Sequence, residues 1–197
     1  MNKANLVILA AAIGLAGCGD RNAATPAGND LGPDNALTNT GSDVATPTGA
    51  DAAGASATLQ TAQGAPAGTA RVVPMDGALR ISLQVEGLPA GEHGVHVHMT
   101  GRCDAPKFES AGGHWNPTDA HHGLENPQGQ HAGDMPNLMI DQNGRGTLDY
   151  TLKGGDLAGL LDTDGAAIIV HETTDDQKTD PSGNSGGRIA CGVFTAD

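Results

Sequence analysis

A chain of 197 residues has room for one ordinary domain with extensions, not for two large domains. Its formal net charge of -13 argues against nucleic acid as a partner, which would need clustered Lys and Arg to replace counterions on phosphates. Aromatic residues make up 2% of the chain and glycines number 30, so a core must come from Val, Ile, Leu and Ala within a fold of many turns.

Residues 1–17 read as a secretory signal: Lys3 supplies the positive start, and the apolar run Leu6 to Leu15 is too short for a resident membrane helix. The run ends in Leu15-Ala16-Gly17-Cys18, which resembles the lipobox of bacterial lipoproteins. That resemblance implies cleavage before Cys18, a diacylglycerol on its thiol, and a lipid-anchored, periplasmic place in the bacterial cell envelope. Residues 18–54 are Ala, Thr, Gly, Pro, Asn and Asp with almost no periodic apolar positions, a composition that cannot offset the entropy of ordering. They are expected to form a disordered, lipid-anchored linker, and roughly 36 flexible residues span about 30 Å root-mean-square.

The domain is expected over residues 55–197. Ser56 to Thr61, Gly68 to Val73, Leu79 to Glu86 and Gly91 to His98 alternate or are rich in β-branched residues, with Gly, Pro and Asp-Gly turn signals between them; they predict an antiparallel meander. Pro74 must sit at a strand end or a bulge, because it cannot donate to a ladder. From Thr100 to Met135 the chain loses any strand or helix period and gains Gly, Pro, Asn, Asp and His, the mark of a long functional loop. Strands resume at Leu138 to Asp141, turn at Asn143-Gly144, and continue at Thr147 to Leu152 and Ala166 to His171. A second irregular loop, Glu172 to Gly187, precedes a last strand, Ile189 to Phe194. With no long helix and no internal repeat, short strands at regular spacing predict an all-β sandwich or barrel.

The chemistry concentrates in Gly94-Val95-His96-Val97-His98. Alternate residues of a strand share a face, so the valines can line a core while both imidazoles meet on the other side as metal ligands. Alone, the pair reads more readily as polar residues on the wet face of a half-buried strand than as ligands. Downstream stand His114, His122, His131 and His171, with Asp134 three residues after His131, a workable His and carboxylate pair for zinc. Such a concentration in the loops of one exported domain is hard to explain without metal.

Four segments in matching order, Gly91-Glu92-His93-Gly94-Val95-His96-Val97-His98, Ser110-Ala111-Gly112-Gly113-His114-Trp115-Asn116-Pro117, His131-Ala132-Gly133-Asp134 and Gly187-Arg188-Ile189-Ala190-Cys191-Gly192-Val193, strongly resemble the copper/zinc superoxide dismutases, in particular their exported bacterial branch. The likeness runs from about Ala55 to Asp197. It implies a Greek-key β-sandwich or barrel of about eight antiparallel strands with two long metal-site loops. It also implies dismutation of the superoxide anion to oxygen and hydrogen peroxide, with one copper and one zinc per subunit. Carried over, copper is held by His96, His98, His114 and His171, and zinc by His114, His122, His131 and Asp134, with His114 as the shared bridge. Imidazole suits both ions, and the added carboxylate favours redox-inert zinc at the second site.

The family's spacing selects His122 over its neighbour His121, which is then expected to face solvent, while His93 lies outside the ligand scheme and is expected to brace its loop by a hydrogen bond. Asp175 matches the aspartate that links a copper ligand to a zinc ligand, here His96 and His122. Arg188 matches the arginine that guides the anion, and Lys178 either helps it or is an ordinary surface lysine. A disulfide between Cys103 and Cys191 is implied as well. The longer stretch before His114 puts a eukaryotic-style homodimer interface in doubt without excluding a dimer. Rival readings are a metal-buffering lipoprotein without turnover and a copper-delivery or adhesion module; every ligand position and the arginine being filled favours the enzyme.

Overall fold

The computed structural model describes residues 53–197. The signal at residues 1–17, Cys18 and the linker as far as residue 52 lie outside the described residues. Strands β1 (Ala55–Thr61), β2 (Pro66–Met75) and β3 (Ala78–Val85) form the expected antiparallel meander. Their period-2 pattern buries Leu59, Val72, Ile81 and Leu83 on one face and turns the intervening residues outward. Pro74 is the penultimate residue of β2, opposite Leu79, where the ladder is about to end.

The next strand leaves the meander, contrary to expectation. The run Gly91 to His98 divides at Gly94 into β4 (Gly91–His93) and β5 (Val95–His98). β4 pairs with β6 (Leu138–Ile140), β5 pairs with β8 (Ala167–His171), and the open side of β3 is taken by β7 (Gly146–Leu152). All four residues of β5 are buried, so the strand needs cover on both faces. Pairing with β8 supplies it, with the valines over the core and the histidines under the loops.

β9 (Arg188–Val193) joins β8 to β1, and β10 (Thr195–Ala196) pairs with the start of β1. The result is an eight-stranded antiparallel sheet in the order β5-β8-β9-β1-β2-β3-β7, with β10 beside β1. Only Gly94 separates β4 from β5, and β6 runs into β7 through a turn at Asn143-Gly144, where Asp141 Oδ1 accepts from the backbone N–H of Asn143 at 2.8 Å and of Arg145 at 2.9 Å. The small β4–β6 pair therefore links the two edge strands, and the sheet curls into a half-barrel. Its core is not purely aliphatic: Trp115, Met135 and Phe194 are buried in it beside Leu, Ile, Val and Ala.

Two long loops cross the end of this frame. The first, between β5 and β6, carries a short 3-10 turn at Glu109–Ala111; the second, between β8 and β9, carries none of its own. The implied disulfide is present: Cys103 and Cys191, with Cα atoms 5.8 Å apart, tie the first loop to β9. Among the described residues the one α-helix, α1 (Leu157–Leu160), starts at Asp156, whose Oδ1 accepts from Gly159 N–H at 2.8 Å.

Candidate metal centre

β5 presents His96 and His98 to one side, the first loop brings His114, His122, His131 and Asp134, and β8 ends at His171. All seven side chains are buried, none more than 7% exposed.

His96, His98, His114 and His171 form one cluster whose ligand atoms lie within 4.8 Å of one another. His98 Nδ1–H donates to Gly112 O at 2.9 Å and His171 Nδ1–H to Gly186 O at 3.5 Å, which leaves both Nε2 atoms as lone pairs. Those two atoms face each other at 3.3 Å. His96 Nε2–H donates to Asp175 Oδ2 at 2.6 Å, so its Nδ1 is also a lone pair. That Nδ1 and His114 Nε2 are buried without a partner. Acceptor nitrogens gathered with no donor among them are what a cation satisfies, and an all-imidazole set suits copper.

The second cluster centres on Asp134 Oδ1, which lies 2.9 Å from His114 Nδ1, 3.1 Å from His122 Nδ1 and 3.2 Å from His131 Nδ1. His131 Nδ1 is 3.4 Å from His114 Nδ1. His122 commits its Nε2–H to Asp175 Oδ1 at 3.0 Å, so its Nδ1 aims a lone pair at a carboxylate. A tetrahedral ion with bonds of roughly 2.0–2.1 Å has ligand–ligand edges of about 3.3 Å, so three nitrogens and one oxygen at these separations fit zinc. By mutual distance alone His96 also groups with His114, His122 and Asp134. Its ring stacks on that of His114 with centroids 3.8 Å apart, but its one hydrogen-bonded nitrogen belongs to Asp175, whereas His131 aims Nδ1 at Asp134.

Electrostatics prepare these groups for metal. Burial lowers His96, His98, His114 and His171 below the ordinary histidine value of 6.5, His114 to about 3 and His171 to about 2, so all four are neutral ligands at neutral pH. At His122 burial pulls the same way, but hydrogen bonds to Asp134 and Asp175 outweigh it and raise the ring to about 9. A proton there stands where a metal would, so loading the site with metal releases it. Asp134 and Asp175 are buried, which alone would raise them; their histidine partners hold both well below the usual carboxylate range.

Around the clusters the remaining expected residues take distinct places. Asp175 spans His96 and His122 through its two oxygens. Arg188 is half-buried, its Nη1 donating to Phe108 O at 2.6 Å and its Nη2 to Gly112 O at 2.7 Å. It lines a cavity of about 340 Å³ with His98, His114, His131, His171 and Ser182, and among the described residues it is the one permanently cationic side chain there. Lys178 is elsewhere: its Nζ pairs with Glu125 Oε2 at 2.7 Å, both side chains exposed. His121 is exposed and pairs with Asp180, which also accepts His122 N–H at 2.5 Å. His93 Nδ1 lies 2.8 Å from His171 O and its Nε2 3.0 Å from Pro89 O, so in either tautomer the ring N–H donates to one of these carbonyls and braces the strand.

Three supporting residues escape a reading of the sequence. Asn137 grips the backbone of Asp175 twice, its Nδ2 donating to Asp175 O and its Oδ1 accepting Asp175 N–H, both at 2.9 Å. Gln177 donates its backbone N–H to Asp175 Oδ1 at 2.6 Å and its Nε2 to Met135 O at 3.2 Å, from a left-handed backbone with φ 62. Asp180 joins the second loop to the first. No local pattern marks these residues: Asn137 and Asp180 find their partners tens of residues away, and Gln177 reaches Asp175 through its backbone N–H.

Comparison with known proteins agrees with this geometry. A family model described as copper/zinc superoxide dismutase (SODC) matches residues 66–194. The chain is 42% identical over 144 residues to superoxide dismutase (Cu-Zn) 2 of Aquifex aeolicus, covering 70% of this chain and 84% of that protein. It is 36% identical over 201 residues to the superoxide dismutase-like protein YojM of Bacillus subtilis, covering 98% and 96%. A crystal structure of a SOD-like protein from Bacillus subtilis superposes with a TM-score of 0.67 at 40% identity, covering 73% of this chain and all of that one.

Proposed function

The chain belongs to the copper/zinc superoxide dismutase family, and from that premise we propose that His96, His98, His114 and His171 hold copper, that His114, His122, His131 and Asp134 hold zinc, and that this pair dismutates superoxide. Two superoxide anions and two protons give one oxygen and one hydrogen peroxide. The observation that carries the reading is His114: its Nδ1 faces the zinc cluster at Asp134 while its Nε2 is buried and unpartnered in the copper cluster.

Copper held by His96, His98, His114 and His171 would supply one-electron redox chemistry for superoxide. The chain's own residues do the rest. Arg188, fixed by two carbonyl oxygens, offers a charged guanidinium to a small anion entering the cavity. This local charge sits inside an envelope of net charge -13 and focuses attraction on the cavity. With Nδ1 turned to the zinc cluster, His114 Nε2 has no hydrogen-bond partner and, whenever it is not serving as a ligand, would be the atom to hold a proton for peroxide. Asp175 holds the His96 and His122 rings in the tautomers that expose Nδ1 to the metals.

The lipobox at Cys18 supports a lipid-anchored form that removes superoxide in the periplasmic space of the cell envelope. Reconstitution of the full chain with copper and zinc tests the enzyme reading. One equivalent of each metal with catalytic superoxide removal supports it; both metals bound without turnover would make the protein a metal buffer.

A further inference from the structure

Val97, Trp115 and Gly133 sit beside the ligands yet turn away from the metals. Val97 lies between His96 and His98, Trp115 follows His114, and Gly133 precedes Asp134. Their backbones close a ring of three hydrogen bonds. Val97 N–H donates to Gly133 O at 2.9 Å, Gly133 N–H to Trp115 O at 2.9 Å, and Trp115 N–H to Val97 O at 2.8 Å. The same approach sets His96 opposite Asp134 and His98 opposite His114 as isolated antiparallel bridges. A Cβ on Gly133 would stand 2.2 Å from Val97 O, so glycine alone lets the third segment in.

The ring is fastened to the core through two of its members. Val97 and Trp115 send their side chains into the main apolar cluster. The Trp115 indole lies against the backbone of Gly155, where a Cβ would stand 2.2 Å from Cη2. Gly155 is between β7 and α1, outside both metal-site loops. Each strand-like alternation thus points a ligand to the metals and its neighbour to the core, and the ring locks the three alternations in register.

We propose that Trp115 is the positioning residue of the bridging imidazole: its indole, seated in the core against Gly155, anchors the backbone ring that sets His114 between the copper strand and the zinc segment before either metal binds. The proposal rests on the two-metal reading of the site. Buried, mutually bonded amides hold the three segments together without help from a cation, so the centre is preorganised and the ions need not gather loose chain.

Amide hydrogen exchange on the full chain, metal-free and then loaded with zinc alone, tests this directly. In the metal-free chain the Val97, Trp115 and Gly133 amides are expected to exchange at least about 100-fold more slowly than exposed loop amides, and zinc should change them by less than about threefold. Exchange at loop rates until zinc is added would overturn the proposal. This readout involves neither copper nor superoxide, so it fails or succeeds separately from the dismutase reading. A second arm follows the zinc-induced change in the visible spectrum of the copper-loaded protein, which reports the two sites talking through His114. Trp115→Phe should keep that change, while Trp115→Ala and Gly155→Ala, with strand content intact by circular dichroism, should lose most of it. A folded Trp115→Ala with the full wild-type response would refute the anchor; if that variant does not fold, the exchange result decides.

Discussion

Asp175→Asn separates the two metals in a way that follows from which oxygen holds which donor. Asp175 Oδ1 accepts from both Gln177 N–H at 2.6 Å and His122 Nε2–H at 3.0 Å, whereas Oδ2 accepts from His96 Nε2–H alone at 2.6 Å. An asparagine has one acceptor oxygen, and it will take the position with two donors. Its NH2 then confronts His96 Nε2–H, donor against donor, and drives that ring toward the tautomer that blocks Nδ1 as a ligand. Loss of such an orienting partner weakens metal binding about 10- to 100-fold, or roughly 1.4–2.8 kcal/mol. Copper affinity should fall by that amount and zinc affinity by less than about tenfold, because His122 keeps its acceptor. Competition of the metal-loaded protein against a chromophoric chelator reads both constants. Loss of zinc with copper retained, or no change in either, would refute the reasoning.

Arg188→Glu should slow superoxide removal about tenfold or more at low ionic strength and weaken its salt dependence, while Lys178→Gln, already neutralised by Glu125, should stay within about twofold of wild type; stopped-flow decay at several salt concentrations distinguishes them. Replacing Cys103 and Cys191 by Ser opens a loop with a sequence separation of 88 and, in the chain-entropy model, should cost about 4–5 kcal/mol in denaturant unfolding. In the metal-free protein burial holds His98, His114 and His171 below 6.5, so the unfolded chain takes up protons the folded chain refuses and stability falls as pH drops below about 6.5. His122, raised to about 9, acts in the opposite sense: its contribution is full below pH 6.5 and is lost as pH rises toward 9. The melting temperature of the metal-free protein should therefore peak at about pH 6 to 7, and a steady rise from there to pH 9 would contradict the assignment.

Much of the site was legible in the chain because its logic is local. His96 and His98 share a face by strand alternation, and both are buried where that alternation puts them. His121 is exposed and His122 buried, the side-chain placement the sequence reading expects. The path of β5 was not legible: four short alternating runs in succession look like one meander, and only the full burial of β5 sends it to β8 instead of β3. Nor could Gln177 or the Val97, Trp115 and Gly133 ring be read, because they act through backbone atoms, which every residue type carries, and Asn137 could not because its side chain grips a backbone 38 residues away. Lys178 stayed ambiguous for a related reason: whether a lysine steers an anion or pairs with Glu125 depends on a fold contact 53 positions away along the chain, between residues 125 and 178.

The most direct test of the account is His114→Ala in the full chain reloaded with copper and zinc, because one ring is assigned both metals and the proton. Superoxide removal per bound copper should fall at least about 100-fold, and zinc should no longer alter the copper spectrum. Turnover per copper at the wild-type rate, with the zinc response intact, would contradict the shared-imidazole centre on which the functional reading stands.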